Sequence, residues 1–316
     1  MDKTCKNVLD AVGNTPLIQL QRMSNPGHAR VLVKYEGVNI GGSIKTRTAL
    51  GMIEDAEKRG LLKEDSIITE YTSGNQGIGL SLISAVKGYK CRIIMPENMS
   101  LERRKLIAAY GAEIVLTPEG ENIGDTFKIA ERTARQMLEK DPRVWLANQF
   151  GNHANPGIHR QTTAREIVEQ VDGEIHAFCC GIGTGGTITG VGEVLKKHFP
   201  EVEIVAVEPE EAAVLDGGPI GQHVIQGMGD GIIPEILNRK VIDKISLVSD
   251  EDALETARRL SREEGLLSGI SSGANTWVAL QLAKELGPGK TVVTILPDTG
   301  ERYLSTILFS PCKNVR

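Results

Sequence analysis

The sequence predicts an α/β protein with two open parallel sheets, each covered by helices on both faces in a three-layer αβα arrangement. Three observations predict it. Short apolar runs without polar alternation recur along the chain, as strands buried on both faces do. Each run leads through a glycine-rich turn into an amphipathic stretch, the strand–turn–helix rhythm of a parallel sheet. The 316 residues exceed what one small core needs and leave room for two sheets. No low-complexity linker separates the halves, so they should pack closely.

The elements follow in order. "EGVNIGGSI" (36–44) leads into an apolar helical pattern that opens at Lys45, with Ser43 placed to cap it. "SIITEYT" (66–72) reads as a strand, "SGNQG" as a turn, and "IGLSLISAVKG" as a helix closed by Gly88. "CRIIMP" (91–96) and "EIVLTP" read as strands, separated by a helix ending near Gly111. A helix over "IGDTFKIAERTARQML" precedes a strand over "VWLANQF" (144–150). "NPGIHRQTTAREIVEQV" reads as one helix with Pro156 near its first turn. In the second half, "HAFCC", "EIVAVEP", "ISLVS" and "TVVTILP" read as strands. Helices follow "GIGTGGT", Ser249 and "GISSGAN", and Ser249 with Asp252 makes a capping box.

Composition excludes several classes. A net charge of −5 leaves no electrostatic footprint for nucleic acid. No apolar run approaches the roughly 20 residues that cross a bilayer, so no membrane partner is expected. The first residues lack the apolar region of a signal peptide, which points to the cytoplasm. The five cysteines form no CxxC pair, so neither a disulfide framework nor a zinc site is expected. Cys179 and Cys180 read as buried strand residues.

Ligands of open parallel sheets sit at the carboxyl ends of strands. Three glycine-rich turns, 41–45, 73–77 and 181–187, fall there, and a fourth, 269–275, opens a helix. "GIGTGGT" is a place for a phosphate, because glycines let backbone N–H groups close on an anion at a helix start. It also fits GxGxxG, and Glu208 follows where a ribose-binding acid would stand, so a nicotinamide oxidoreductase is a rival reading. "YTSGNQG" carries neutral donors suited to a carboxylate, although Ser73 or Asn75 could equally cap a helix. Lys45 could be a solvated surface lysine. Set in the first turn of a helix and partly desolvated, it would instead have a lowered pKa and could form a Schiff base with an aldehyde cofactor. A phosphate nest, a carboxylate nest and a primed lysine are the fittings for pyridoxal 5′-phosphate and an amino acid. Ser271, with Ser272 beside it, offers a hydroxyl to the pyridine nitrogen, which would favour loss of a β substituent; either serine could also be a cap.

The chain resembles the fold-type II pyridoxal-phosphate enzymes of the cysteine synthase and cystathionine β-synthase family, whose fold is tryptophan synthase β-like. The likeness runs through "GNTPLIQL" (13–20), "GGSIKTR" (41–47), "TSGNQG" (72–77), "NQFGNHANPGIHRQTT" (148–163), "GIGTGGTITG" (181–190), "GISSGA" (269–274) and "LPDTGERYLST" (296–306). The resemblance implies that Lys45 carries the cofactor and takes the Cα proton. It implies that Asn75 bonds the cofactor's 3′ oxygen, that Gly183, Thr184, Gly185, Gly186 and Thr187 cradle the phosphate, and that Ser271 faces the ring nitrogen. It places Thr72, Ser73, Gln76, Gln149 and Gly227 around the substrate. It further implies a homodimer and a mobile small domain, residues 41–151, that closes over a larger one made of 1–40 and 152–316. No haem-binding extension or regulatory domain is expected.

Three departures from the family pattern stand out. Thr46 replaces an acid after the lysine, Gln76 replaces a threonine, and "GMGDGII" puts Asp230 where a small neutral residue is usual. The expected reaction is β-replacement through an aminoacrylate, with O-acetylserine and sulfide giving cysteine and acetate. The alternative is an enzyme that consumes cysteine, releases sulfide and adds water or a second thiol, with Asp230 as helper base. The oxidoreductase reading leaves Lys45 and "GISSGA" without roles. A partner-binding homologue without activity would not need Lys45, Asn75 and Ser271 intact.

Overall fold

The computed structural model describes residues 4–72 and 74–309. Two sheets organise them. The larger holds β1 (Leu17–Gln19), β2 (Arg30–Tyr35), β7 (Ala177–Gly181), β8 (Glu203–Pro209), β9 (Lys244–Val248) and β10 (Thr291–Leu296) in the order β1-β2-β10-β7-β8-β9. The smaller holds β3 (Ile67–Tyr71), β4 (Lys90–Pro96), β5 (Glu113–Thr117) and β6 (Val144–Leu146) in the order β5-β4-β3-β6. Every pairing is parallel except β1 with β2, so the larger sheet is mixed at one edge. Residues 17–35 hold two strands that a search for wholly apolar runs passes over. Lys34 lies in β2, fully buried, and is neutralised by Glu166 at 2.7 Å.

The helices are α1 (Lys45–Lys58), α2 (Asn75–Lys87), α3 (Leu101–Ala109), α4 (Ile123–Lys140), α5 (Ala154–Gln161), α6 (Thr163–Gln170), α7 (Gly186–His198), α8 (Asp250–Glu264) and α9 (Ile270–Leu286). Side chains alternate across each strand. Val31, Val33, Cys179 and Val205 pack on one face of the larger sheet under α8 and α9, and Leu32, Phe178, Cys180 and Ile204 on the other against α6 and α7. Gly88 ends α2 in the left-handed region, and Ser249 caps α8 by accepting from Asp252 N at 3.1 Å.

Three expectations are corrected. Residues 147–150 are not strand: β6 ends at Leu146, and Asn148 takes a left-handed φ of 52° that no ladder accommodates. The helix expected over 155–171 is two, α5 and α6, because Thr162 leaves helical geometry at φ −122° and turns its hydroxyl back onto Ile158 O at 2.7 Å. Ser43 does not cap α1. Ile44 is the cap residue, without a side-chain bond, and Ser43 Oγ is buried without a partner.

Candidate active site

The glycine turns converge. One cleft of about 830 Å³, its open mouth included, is lined by Lys45, Asn75, Gly183, Thr184, Gly185, Thr187 and Ser271. Thr72, Gln76, Gln149, Gly227 and Asp230 line it too. Gly186 stands behind the lining as the first residue of α7. Ser73 lies outside the described residues.

Four helices, α1, α2, α7 and α9, begin at this cleft, and none has a side-chain cap. Uncapped N-termini leave backbone N–H groups unspent and a positive end to each dipole. At α7 the cap residue is Gly185, at φ 75°, which a Cβ would strain. Gly183 lies so close to the neighbouring loop that a Cβ would come within 2.4 Å of Gly227 O. This bare, positive, close-walled turn fits a phosphate. Thr187 is braced from behind by His159, whose Nε2 lies 3.4 Å from Thr187 Oγ1 and 3.2 Å from Thr48 Oγ1. Burial pushes the His159 pKa well down, so the ring is neutral.

Lys45 is the first residue of α1, half-buried, with its ammonium set against the helix dipole. Burial lowers its pKa, opposed by Asp230, Cys180 and Asp298. α1 and α2 meet closely at this residue, since a Cβ on Gly79 would lie 2.8 Å from Lys45 O. Thr46, in place of the family's acid, bonds Ile40 O and ties down the glycine pair. Asp230 is buried, and desolvation pushes its pKa up to about 6 against the pull of His223 and Lys45.

Asn75 is held at both ends of its amide: Nδ2 donates to Asp298 Oδ2 at 2.6 Å and Oδ1 accepts from Arg302 at 2.6 Å. Ser271 lines the cleft, whereas Ser272 is fully buried outside its lining. Gln76 is buried with its Oε1 unpartnered, an acceptor waiting for a donor. Glu208, the acid that a dinucleotide site would need, turns away from the cleft and accepts from Leu215 N and Asp216 N. That removes the main support for the oxidoreductase reading.

Sequence reasoning missed several lining residues. Arg103 comes from α3, where its spacing looks like any helix surface, yet it is buried at the cleft, where its Nη2 donates to Tyr303 Oη at 2.8 Å. Phe127 and Phe150 form an apolar wall. Asn275 was visible in "GISSGAN"; its amide joins Gly181 N and Ile295 O, both at 2.8 Å. Among the described residues, no group of three or more His, Cys, Asp or Glu could hold a metal ion.

A family model described as pyridoxal-phosphate dependent enzyme matches residues 8–298. A curated cysteine synthase of Staphylococcus aureus is 50% identical over 309 residues, 98% of this chain and 98% of that protein. The solved O-ureido-L-serine synthase superposes with a TM-score of 0.92 at 43% identity, covering 99% of this chain and 98% of that one. A solved hydrogen sulfide-producing enzyme from Fusobacterium nucleatum superposes with a TM-score of 0.90 at 41% identity, covering 95% and 100%.

Proposed function

The chain belongs to the pyridoxal-phosphate dependent enzyme family, and from that premise we propose that it is a β-replacement enzyme that makes cysteine from an O-activated serine, O-acetylserine first among them, and sulfide. One observation carries the reading: a half-buried lysine at a helix start shares a cleft with an uncapped glycine turn and a buried serine hydroxyl.

Lys45 would carry the cofactor, Gly183, Thr184, Gly185, Gly186 and Thr187 would hold its phosphate, Asn75 its 3′ oxygen and Ser271 its ring nitrogen. When bound, pyridoxal phosphate supplies an electron sink that eases removal of the Cα proton and departure of the β substituent. Thr72, Ser73 and Gln149 orient the amino acid through its carboxylate. Lys45 would take the Cα proton, and burial, by lowering its pKa, favours the free amine that does so. A neutral hydroxyl at Ser271, rather than a carboxylate, favours elimination over transamination. Phe127 and Phe150 keep water from the reacting atoms. We also assign residues 41–151 as a small domain that closes over the substrate, the assembly as a homodimer and the cytoplasm as its place of work; no helix among the described residues is long and apolar enough to cross a membrane.

The experiment is a synthesis assay with O-acetyl-L-serine and sulfide on the yellow holoenzyme. Cysteine should form, and Lys45→Ala should lose both the product and the borohydride-sensitive visible band. No cysteine from O-acetylserine or O-phosphoserine would end the reading.

A second reaction has its own support in Asp230. A buried carboxylate with a pKa near 6, in the same cleft as Lys45, could deprotonate a thiol or water. It fits an enzyme that takes cysteine as substrate, releases sulfide and adds a second thiol.

A further inference from the structure

Glu70 is the fourth residue of β3 and has no exposed surface. Its carboxylate oxygens each accept one backbone donor: Oε1 from Tyr71 N at 3.0 Å and Oε2 from Gln149 N at 2.9 Å. Among the described residues it makes no ion pair. Such a group is costly to bury, and a neutral side chain would fill the space more cheaply. What the carboxylate holds explains its presence. Gln149 follows Asn148, a non-glycine residue at φ 52°. Strain of this kind persists where neighbours over-determine the backbone. The Gln149 carbonyl accepts from Asn155 Nδ2 at 2.9 Å, and the same amide reaches Thr184 Oγ1 at 3.0 Å. The Gln149 peptide is thus gripped by the smaller sheet at its N–H and by the residues around the glycine turn at its C=O.

We propose that Glu70 is a positioning residue, whose ionised carboxylate fixes the Gln149 peptide so that the Gln149 side chain meets the substrate's α-carboxylate. The inference rests on the role given to Gln149 above. Both oxygens face N–H groups, so a proton on either one would point at a donor and forfeit a bond. Burial pushes the Glu70 pKa up to about 8, opposed by the bonds from Gln149 and Tyr71. The titratable groups facing it are Tyr71, and Cys91 on β4; burial raises both, Cys91 to about 11, so neither changes charge between about pH 7 and 9.

The test is binding of L-alanine, which has the α-carboxylate but no leaving group, to the holoenzyme, read from the cofactor's visible spectrum between about pH 6.5 and 9. Gln149→Ala should weaken binding about tenfold at the alkaline end, the scale of one lost hydrogen bond to a charged group. Glu70→Gln should do the same while keeping cofactor content and melting temperature near wild type. The ratio of the Gln149→Ala and wild-type dissociation constants should shrink towards one as pH falls below about 8, because wild type then loses its hold on Gln149. Titration of alanine's own amine cancels in that ratio, and the measurement needs no Glu70 variant if Glu70→Gln fails to fold. Wild-type affinity in Glu70→Gln beside a weakened Gln149→Ala, or a ratio indifferent to pH, overturns the inference and leaves Gln149's role standing. Wild-type affinity in Gln149→Ala instead removes the role of Gln149 itself.

Discussion

Asn75 Nδ2 and Asp298 Oδ2, 2.6 Å apart, join the two sheets at the rim of the cleft. Asn75 opens α2 beside the smaller sheet, and Asp298 follows β10 in the middle of the larger one. Tyr303 OH donates to the same oxygen at 2.8 Å, and Arg302 occupies the other end of the Asn75 amide. Asp298 thus gathers donors from both sides, which presets the orientation of Asn75 before any ligand arrives.

Asp298→Asn should break this join. The acceptor loses its charge, so the bonds from Asn75 and Tyr303 fall from charge-assisted to neutral strength, at a cost of about 1–2 kcal/mol. Calorimetry should show a melting temperature lower by several degrees. The visible band of the bound cofactor should shift, because Asn75 is no longer held. Unchanged melting and spectrum would remove Asp298 from this role.

Arg47 lies on α1 two residues after Lys45. It bonds Glu36 at 2.9 Å and Glu166 at 2.5 Å with all three side chains largely buried. Arg47→Met would strand Glu36 and leave Glu166 with Lys34 as its cationic partner, costing about 3–5 kcal/mol. Burial alone would raise the Glu166 pKa, but bonds from Arg47 and then Lys34 outweigh it and hold it at about 2. A depressed carboxylate pKa gives stability that is present above about 4.5 and is lost as pH falls through about 2. Acid titration of the melting temperature should therefore be steeper over that window in wild type than in Glu166→Gln.

The glycine turns, the lysine and the alternation of strand and helix were legible because each is local. A turn needing left-handed backbone selects glycine, and a strand buried on both faces selects apolar residues. What was illegible depends on tertiary partners. Lys34 makes β2 look unlike a buried strand until Glu166 neutralises it. "VWLANQF" reads as a strand because its residue types fit one, yet Glu70 draws Gln149 N aside and the ladder stops at Leu146. Arg103 looks like surface because the residues that bury it, Tyr303 among them, lie some 200 positions away. Ser43 reads as a cap from its place in the chain, but Ile44 takes that position.

Gly183→Ala tests the phosphate turn. The added methyl would sit 2.4 Å from Gly227 O, a backbone atom that moves only with its loop. The loop carries Gly227 and Asp230, so the shift should reach both cofactor and substrate sides of the cleft. Cofactor titration followed by absorbance should show affinity lower by about tenfold or more, the equivalent of about 1–3 kcal/mol of overpacking. Affinity equal to wild type would mean that the turn yields without disturbing the nest.

Asp230 gives two opposite expectations from one cause. Desolvation raises its pKa to about 6 from an ordinary 3.8. A raised carboxyl pKa means that the folded state disfavours the charge, so stability falls as pH rises from about 4 to 6 and stays lower above it. Asp230→Asn should therefore melt at a higher temperature than wild type at pH 8 and at the same temperature near pH 4. The helper-base role runs the other way, since the charged form is the active one. Sulfide release from cysteine alone should fall as pH drops through about 6 in wild type, and should be about 10²-fold slower in Asp230→Asn. Cysteine synthesis from O-acetylserine, which needs no helper base for sulfide, should survive the substitution. A variant that is both more stable and slower only with cysteine would identify Asp230 as a group kept for chemistry at the expense of stability. Equal loss of both activities would assign it to the shape of the cleft instead.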